Sequence, residues 1–240
     1  MILKAKDYLY PTKEEREVIS NFIPMQHLFK FKQIDSVFDI LFDDKMSAVE
    51  ATKLENLYNW NICLSNRFGK LRESFTFAIT NYNRGLNEIT ESSSSIEYLN
   101  VFLFEYYSEI FYYFFFSARD ILCQIIKVYL ELDQIAEDRV TLNKKFLNLI
   151  NHTEIKSALE VFNIKTKKAK DFRNAFVHKF TPTQNDYRVT ETNENGNKSW
   201  GFSGGYSVDK EILKQNMIDS LNELSIMMNK LTSIISISDN

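Results

Sequence analysis

Chemistry in this 240-residue sequence gathers around Arg173, Asn174 and His178. The forked guanidinium of an arginine matches phosphate oxygens in both geometry and charge. An imidazole is available in protonated and neutral forms near neutrality, which general acid and base work requires. Set on a helix at about 100° per residue, Asn174 and His178 stand one turn apart on one face, where the amide orients the ring or shares its ligand. Arg173 lies to one flank. Residues 165–179 carry six Lys or Arg against the single acid Asp171 in a chain of net charge −3, so a local positive field surrounds the imidazole. Ala169, Phe172, Ala175, Phe176 and Phe180 share the apolar side by which such a helix rests on its neighbours. Val177 falls on the wet side between Arg173 and the Asn174/His178 pair, and we read that face as meeting another subunit. The other histidines, His27 and His152, read as surface or capping residues.

The elements that must hold this group in place are mostly helical. Six glycines and three prolines favour long uninterrupted helices over a many-turn β architecture. From about Val49 to Thr90 apolar residues recur at helical spacing, and after the polar break 91–95 a second helix is expected from about Ile96 to Leu132, the two forming an antiparallel hairpin. The second is apolar on every side through the aromatic block Phe111–Phe116, which reads as core or as a subunit interface rather than as a base-stacking platform. Shorter helices are expected near Leu142–Ile150, Thr153–Phe162 and Lys167–Lys179. The segments 186–192 and 198–202 flank Asn195-Gly196 and predict a β-hairpin inserted at about 186–206. A closing helix follows Ser207-Val208-Asp209. Ahead of all this, residues from about Thr12 to Phe42, broken at Pro24, read as a pair of short helices. The expected organisation is a helical appendage over 1–48 and, over 49–240, an all-α up-and-down helical bundle with the hairpin insertion.

Composition removes several classes. With 29 basic and 32 acidic side chains the chain is no general basic coat for nucleic acid, and only local patches are in question. Cys63 and Cys123 are sixty residues apart with no CxxC, so neither a disulfide framework nor a thiolate metal site is legible. No HExxH motif, Cys/His cluster or phosphate-cradling glycine loop appears, and neither a metal nor a cofactor is expected. The most apolar stretch, Val101–Phe116, is interrupted by Glu105, Ser108 and Glu109 and falls short of the ~20 residues of a spanning helix. With no secretory leader visible, a cytoplasmic protein without membrane association is the expectation.

Arg173-Asn174-Ala175-Phe176-Val177-His178, late in a bundle helix, resembles the R-(polar)-x3-H form of the RX4–6H motif of the HEPN superfamily, over about Val49 to Leu231. The long first pair of helices fits, as does Arg119-Asp120 in the second. The resemblance implies a helical bundle that pairs as a homodimer, and a metal-independent endoribonuclease in which a ribose 2′-oxygen attacks the adjacent phosphate to leave a 2′,3′-cyclic phosphate. His178 would then transfer protons, Arg173 would bind the scissile phosphate, and Asn174 would hold the imidazole or a phosphate oxygen. Lys168, Lys170 and Lys179 would contact the RNA, with an ordinary solvated face as the other reading. Asp120 would face the cleft, or else pair with Arg119 as structure. A toxin or anti-phage effector, partnered by a nucleotidyltransferase antitoxin, is the implied setting. The alternative is a catalytically silent HEPN module that binds RNA, a nucleotide or a partner. A purely structural dimerisation protein, with the motif accidental, is the third reading.

Overall fold

Ser47 opens the first long helix by accepting a hydrogen bond from the backbone N–H of Glu50, which satisfies one of the orphan donors at a helix start. The computed structural model describes residues 10–31, 47–86, 95–179, 181–194, 197–202, 204–205 and 207–235. Among these, α1 spans Lys13–Ser20, α2 Ala48–Asn83, α3 Ser95–Tyr129, α4 Lys144–Leu149, α5 Thr153–Lys165 and α6 Lys167–His178. Strands β1 (Val189–Glu194) and β2 (Asn197–Phe202) precede α7 (Lys210–Ile234). The architecture is an all-α bundle carrying one two-stranded antiparallel sheet.

The α2–α3 pair forms the frame. Lys53 near the start of α2 bonds Glu131 just past the end of α3 at 2.6 Å, and Tyr82 near the end of α2 packs edge-on to Phe104 near the start of α3, so the two run antiparallel. Leu57, Leu64, Leu71 and Phe75 of α2 meet Phe104, Phe111, Phe115 and Leu122 of α3 in one buried cluster. At about 1.5–3 kcal/mol for each fully buried side chain, this seam supplies much of the driving force for the hairpin. Short helices are fixed by their caps: Asn143 Oδ1 accepts from the Phe146 N–H at 2.9 Å, His152 Nδ1 from that of Ile155, and Asp209 from that of Glu211. His152 is thus a capping residue, and His27 is exposed.

Two expectations change. From Pro24 to Phe31 the chain forms no helix where a second short helix is expected. Side chains of the bundle take its carbonyls: Asn61 donates to Phe29 O at 2.8 Å and Ser225 to Met25 O at 3.0 Å, while Pro24 supplies no donor of its own. The rest of that expected helix, 32–42, lies outside the described residues, as do the break at 91–94 and the Asn195-Gly196 turn. The first strand begins at Val189 rather than Asp186, because the Asp186 carboxylate accepts from the Arg188 backbone N–H at 3.0 Å and turns the chain there. The register pairs Val189 with Phe202 and Glu191 with Trp200, and Val189, Trp200 and Phe202 are all exposed.

The aromatic block on α3 also divides. Phe111, Tyr112 and Phe115 have no exposure and Phe116 only 7%, whereas Tyr113 is 62% exposed. One ring of the block therefore faces out.

Candidate functional site

Helix α6 is held by its apolar side. Ala169 and Phe172 are buried, and the rings of Phe172 and Phe176 pack on Tyr112 of α3 at 5.7 and 6.0 Å. Tyr112 is itself pinned, its hydroxyl donating to Asn216 Oδ1 of α7 at 2.8 Å. Helices α3 and α7 thus fix the rotation of α6 about its axis and decide which residues it turns outward. Phe180, assigned to the same apolar side, lies outside the described residues.

The outward side carries Arg173, Asn174, Val177 and His178. Arg173 Nη1 donates to Asn174 Oδ1 at 3.2 Å, so the amide orients the guanidinium rather than the imidazole in this chain. Asn174 is half-buried, while His178, in the last turn of α6, is exposed. Val177 is 53% exposed, an apolar residue on the wet face. Lys170 and Lys179 are exposed as well, and Lys168, also exposed, rests its ammonium over the Phe172 ring at 5.9 Å.

Arg173 lines a cleft of about 590 Å³ between α2, α3 and α6, and Asp120 lines it too. The carboxylate of Asp120 is not idle: its Oδ1 accepts from Arg119 Nε at 2.9 Å, Arg119 Nη2 at 2.7 Å and the Thr141 hydroxyl at 3.0 Å. The Asp120 side chain is thus bonded to Arg119 and set in the cleft wall. The Arg119 guanidinium lies over the Phe116 ring at 4.7 Å. His178 is not among the lining residues. Five residues of helix separate it from Arg173, about 7.5 Å of axial rise and roughly 140° of rotation. Of the residues expected at the site, the structure brings Arg173 and Asp120 to the cleft, with Asn174 bonded to Arg173 but not among the lining residues. It leaves His178 and the three lysines on the adjoining surface.

Sequence reasoning missed the opposite wall. Trp60, Arg67 and Lys70 of α2 and Tyr113 of α3 also line the cleft. The two cations stand at i, i+3 on α2, and each lies over the Phe114 ring, Arg67 at 5.9 Å and Lys70 at 5.7 Å. Their spacing was the only signal available, and it is that of any polar helix face. Among the described residues no group of three or more His, Cys, Asp or Glu side chains is arranged to hold a metal ion. Cys63 and Cys123 are free thiols, the second buried and its acidity suppressed by that burial. No helix of the described residues is long and apolar enough to cross a membrane.

Residues 60–238, which include every side chain of the cleft, match the model of the Cthe2314-like HEPN family. Neither a curated protein nor a solved structure gives a significant match to the chain.

Proposed function

The chain belongs to the HEPN superfamily, through the Cthe2314-like family that its residues 60–238 match, and from that premise we propose that it is a metal-independent endoribonuclease acting as a homodimer. The observation that carries the reading is the position of Arg173: a guanidinium steadied by Asn174, facing a cleft, with an exposed imidazole farther along the same helix. Arg173 binds the scissile phosphate and stabilises the charge that gathers on its oxygens as the 2′-oxygen attacks. His178 carries the proton, taken from the 2′-hydroxyl or delivered to the departing 5′-oxygen. The 2′-oxygen–phosphorus bond forms as the bond to the 5′-oxygen breaks, leaving a 2′,3′-cyclic phosphate and a 5′-hydroxyl. One imidazole does not easily serve as base and acid in one step, and two chains about a two-fold axis supply two. The exposed Val177, between the functional side chains, supports a partner at this face. Lys168, Lys170 and Lys179 add positive potential along the strand, and Asp120, bonded to Arg119, completes the cleft wall.

We assign the protein to the cytoplasm, as a toxin or anti-phage effector held in check by a nucleotidyltransferase antitoxin. We assign residues 1–48 to an N-terminal appendage and 49–240 to the bundle with its hairpin insertion. A second reading, a silent RNA- or partner-binding module, is favoured by one observation: the cleft that Arg173 lines does not include His178. Purified protein, labelled single-stranded RNA and excess EDTA separate the two. The nuclease cleaves in chelator and loses cleavage in both His178→Ala and Arg173→Ala, with folding checked by circular dichroism. The silent module binds the same RNA uncut.

A further inference from the structure

The cleft on α2, α3 and α6 has the makings of a ligand site beyond the motif itself. Its volume, about 590 Å³, falls within the few hundred to a thousand Å³ usual for small-ligand pockets. Three cations line it, Arg67, Lys70 and Arg173, and among the described residues none of the three has a carboxylate within ion-pair distance. The one acid in the lining, Asp120, is bonded to Arg119. In a protein of net charge −3, such a concentration of positive charge without counter-charge is a standing attraction for an anion. A bare anion does not account for the rest of the lining. Tyr113 turns a 62% exposed ring outward from an otherwise buried or half-buried aromatic run, and Trp60 of α2, half-buried against the core, shows part of its ring to the same cleft. Exposed rings beside cations are the pairing by which proteins hold single-stranded nucleic acid, the ring taking a base and the cation its phosphate.

We infer that this cleft is a nucleotide-binding subsite: a base of single-stranded RNA stacks on Tyr113 or Trp60, and the neighbouring phosphate is held by Arg67 and Lys70. The inference rests on the ribonuclease reading for its choice of RNA, since Arg173 joins the subsite to the motif helix. It adds to that reading a second wall, supplied by α2, that fixes the register of the strand relative to the scissile phosphate.

The sequence holds two tryptophans, so Trp200→Phe leaves Trp60 as the sole reporter within the cleft. The probe is a short single-stranded RNA with 2′-O-methyl riboses, which binds but has no 2′-hydroxyl to attack with. Titrated into the full chain, it should quench Trp60 emission saturably, and inorganic phosphate at the same concentrations should not. Arg67→Gln/Lys70→Gln should weaken binding about tenfold or more and flatten the salt dependence by about 0.7 in slope, the value for one phosphate no longer neutralised. Tyr113→Leu should weaken binding by about fivefold or more with the salt slope unchanged, because stacking carries no charge.

Unchanged Trp60 emission while anisotropy reports bound RNA would overturn the inference. So would equal quenching by phosphate alone, or variants that bind like the parent. If unmodified RNA is cleaved while Trp60 stays silent, the ribonuclease reading stands and the subsite is lost. If RNA quenches Trp60 and is never cut, the subsite stands and the ribonuclease reading is lost. If RNA neither binds nor is cut, both are lost.

Discussion

Two groups of cations sit on helix α2 and its neighbours, and they are treated in opposite ways. Where α1 meets α2, two arginines are answered by carboxylates. Arg84 donates from Nε and Nη2 to Glu15 at 2.8 Å each, with the Arg84 side chain 9% exposed, and Arg16 forks onto Glu73 at 2.8 and 3.1 Å. At the cleft, Arg67, Lys70 and Arg173 find rings and an amide but no carboxylate among the described residues. A neutralised cation fastens one part of the fold to another. An unneutralised one keeps its charge for something that arrives. The difference gives a basis, independent of place in the sequence, for testing which of these cations are structural and which serve the proposed function.

The largest test of that contrast is at the motif. Arg173→Ala and His178→Ala should each slow RNA cleavage by roughly 10²–10⁴-fold, the range for a lost phosphate-binding or proton-transfer group. Stability should stay within about 0.5 kcal/mol of the parent, because neither residue has an ion pair among the described residues and His178 is exposed. Initial rates on labelled RNA beside urea denaturation measure both. A variant that lost activity only by unfolding would erase the distinction between the two groups of cations.

The reciprocal change comes next. Arg84→Met should destabilise the fold by about 1–2 kcal/mol, since it leaves the partly exposed Glu15 carboxylate of α1 without that cation. Cleavage per folded molecule should not change. Combining it with Glu15→Gln should recover part of the loss, and a double-mutant cycle with no coupling would mean that the pair holds nothing together. An effect of similar size links the two regions. Tyr112→Phe removes the buried hydroxyl that donates to Asn216 and should cost about 1–2 kcal/mol, by denaturation. Because Tyr112 also carries Phe172 and Phe176, activity should fall more than stability alone explains if the rotation of α6 matters.

Much of the frame was legible from one-dimensional pattern. Leu54, Leu57, Leu64, Phe68, Leu71 and Phe75 keep helical spacing and are all buried, as are Leu213, Met217, Leu221, Leu224, Met228 and Leu231 on α7. Local chemistry marked other features as well, since Asp209 caps the closing helix and the two segments expected as a hairpin do pair antiparallel. The chain from Pro24 to Phe31 misled because its apolar spacing suits a helix while its hydrogen bonds come from Asn61 and Ser225, far away in sequence. The cleft failed for a related reason. Arg67 and Lys70 look like any solvated helix face, and Tyr113 like any member of an aromatic run. Their distinction arises only when the packing of α2, α3 and α6 sets them around one space with Arg173.

The smallest effect is a slope with pH. Burial raises the Glu15 carboxyl, but the Arg84 side chain and the Thr12 backbone N–H bond the ionised form and hold it below the ordinary carboxylate range. A folded pKa below the unfolded one means that the unfolded chain takes up the proton first as pH falls. The stabilisation is therefore complete above the unfolded value, near 4.3, and drains away as pH descends through the lower folded value. Unfolding free energies measured from neutrality into that window should fall more steeply for the parent than for Glu15→Gln, which has no proton to bind. Carboxylates elsewhere contribute equally to both chains and cancel in the comparison. Arg67→Gln/Lys70→Gln should follow the parent curve throughout, because those cations hold no carboxylate whose protonation could release them. A matching loss of slope in that variant would show that the cleft cations are structural after all.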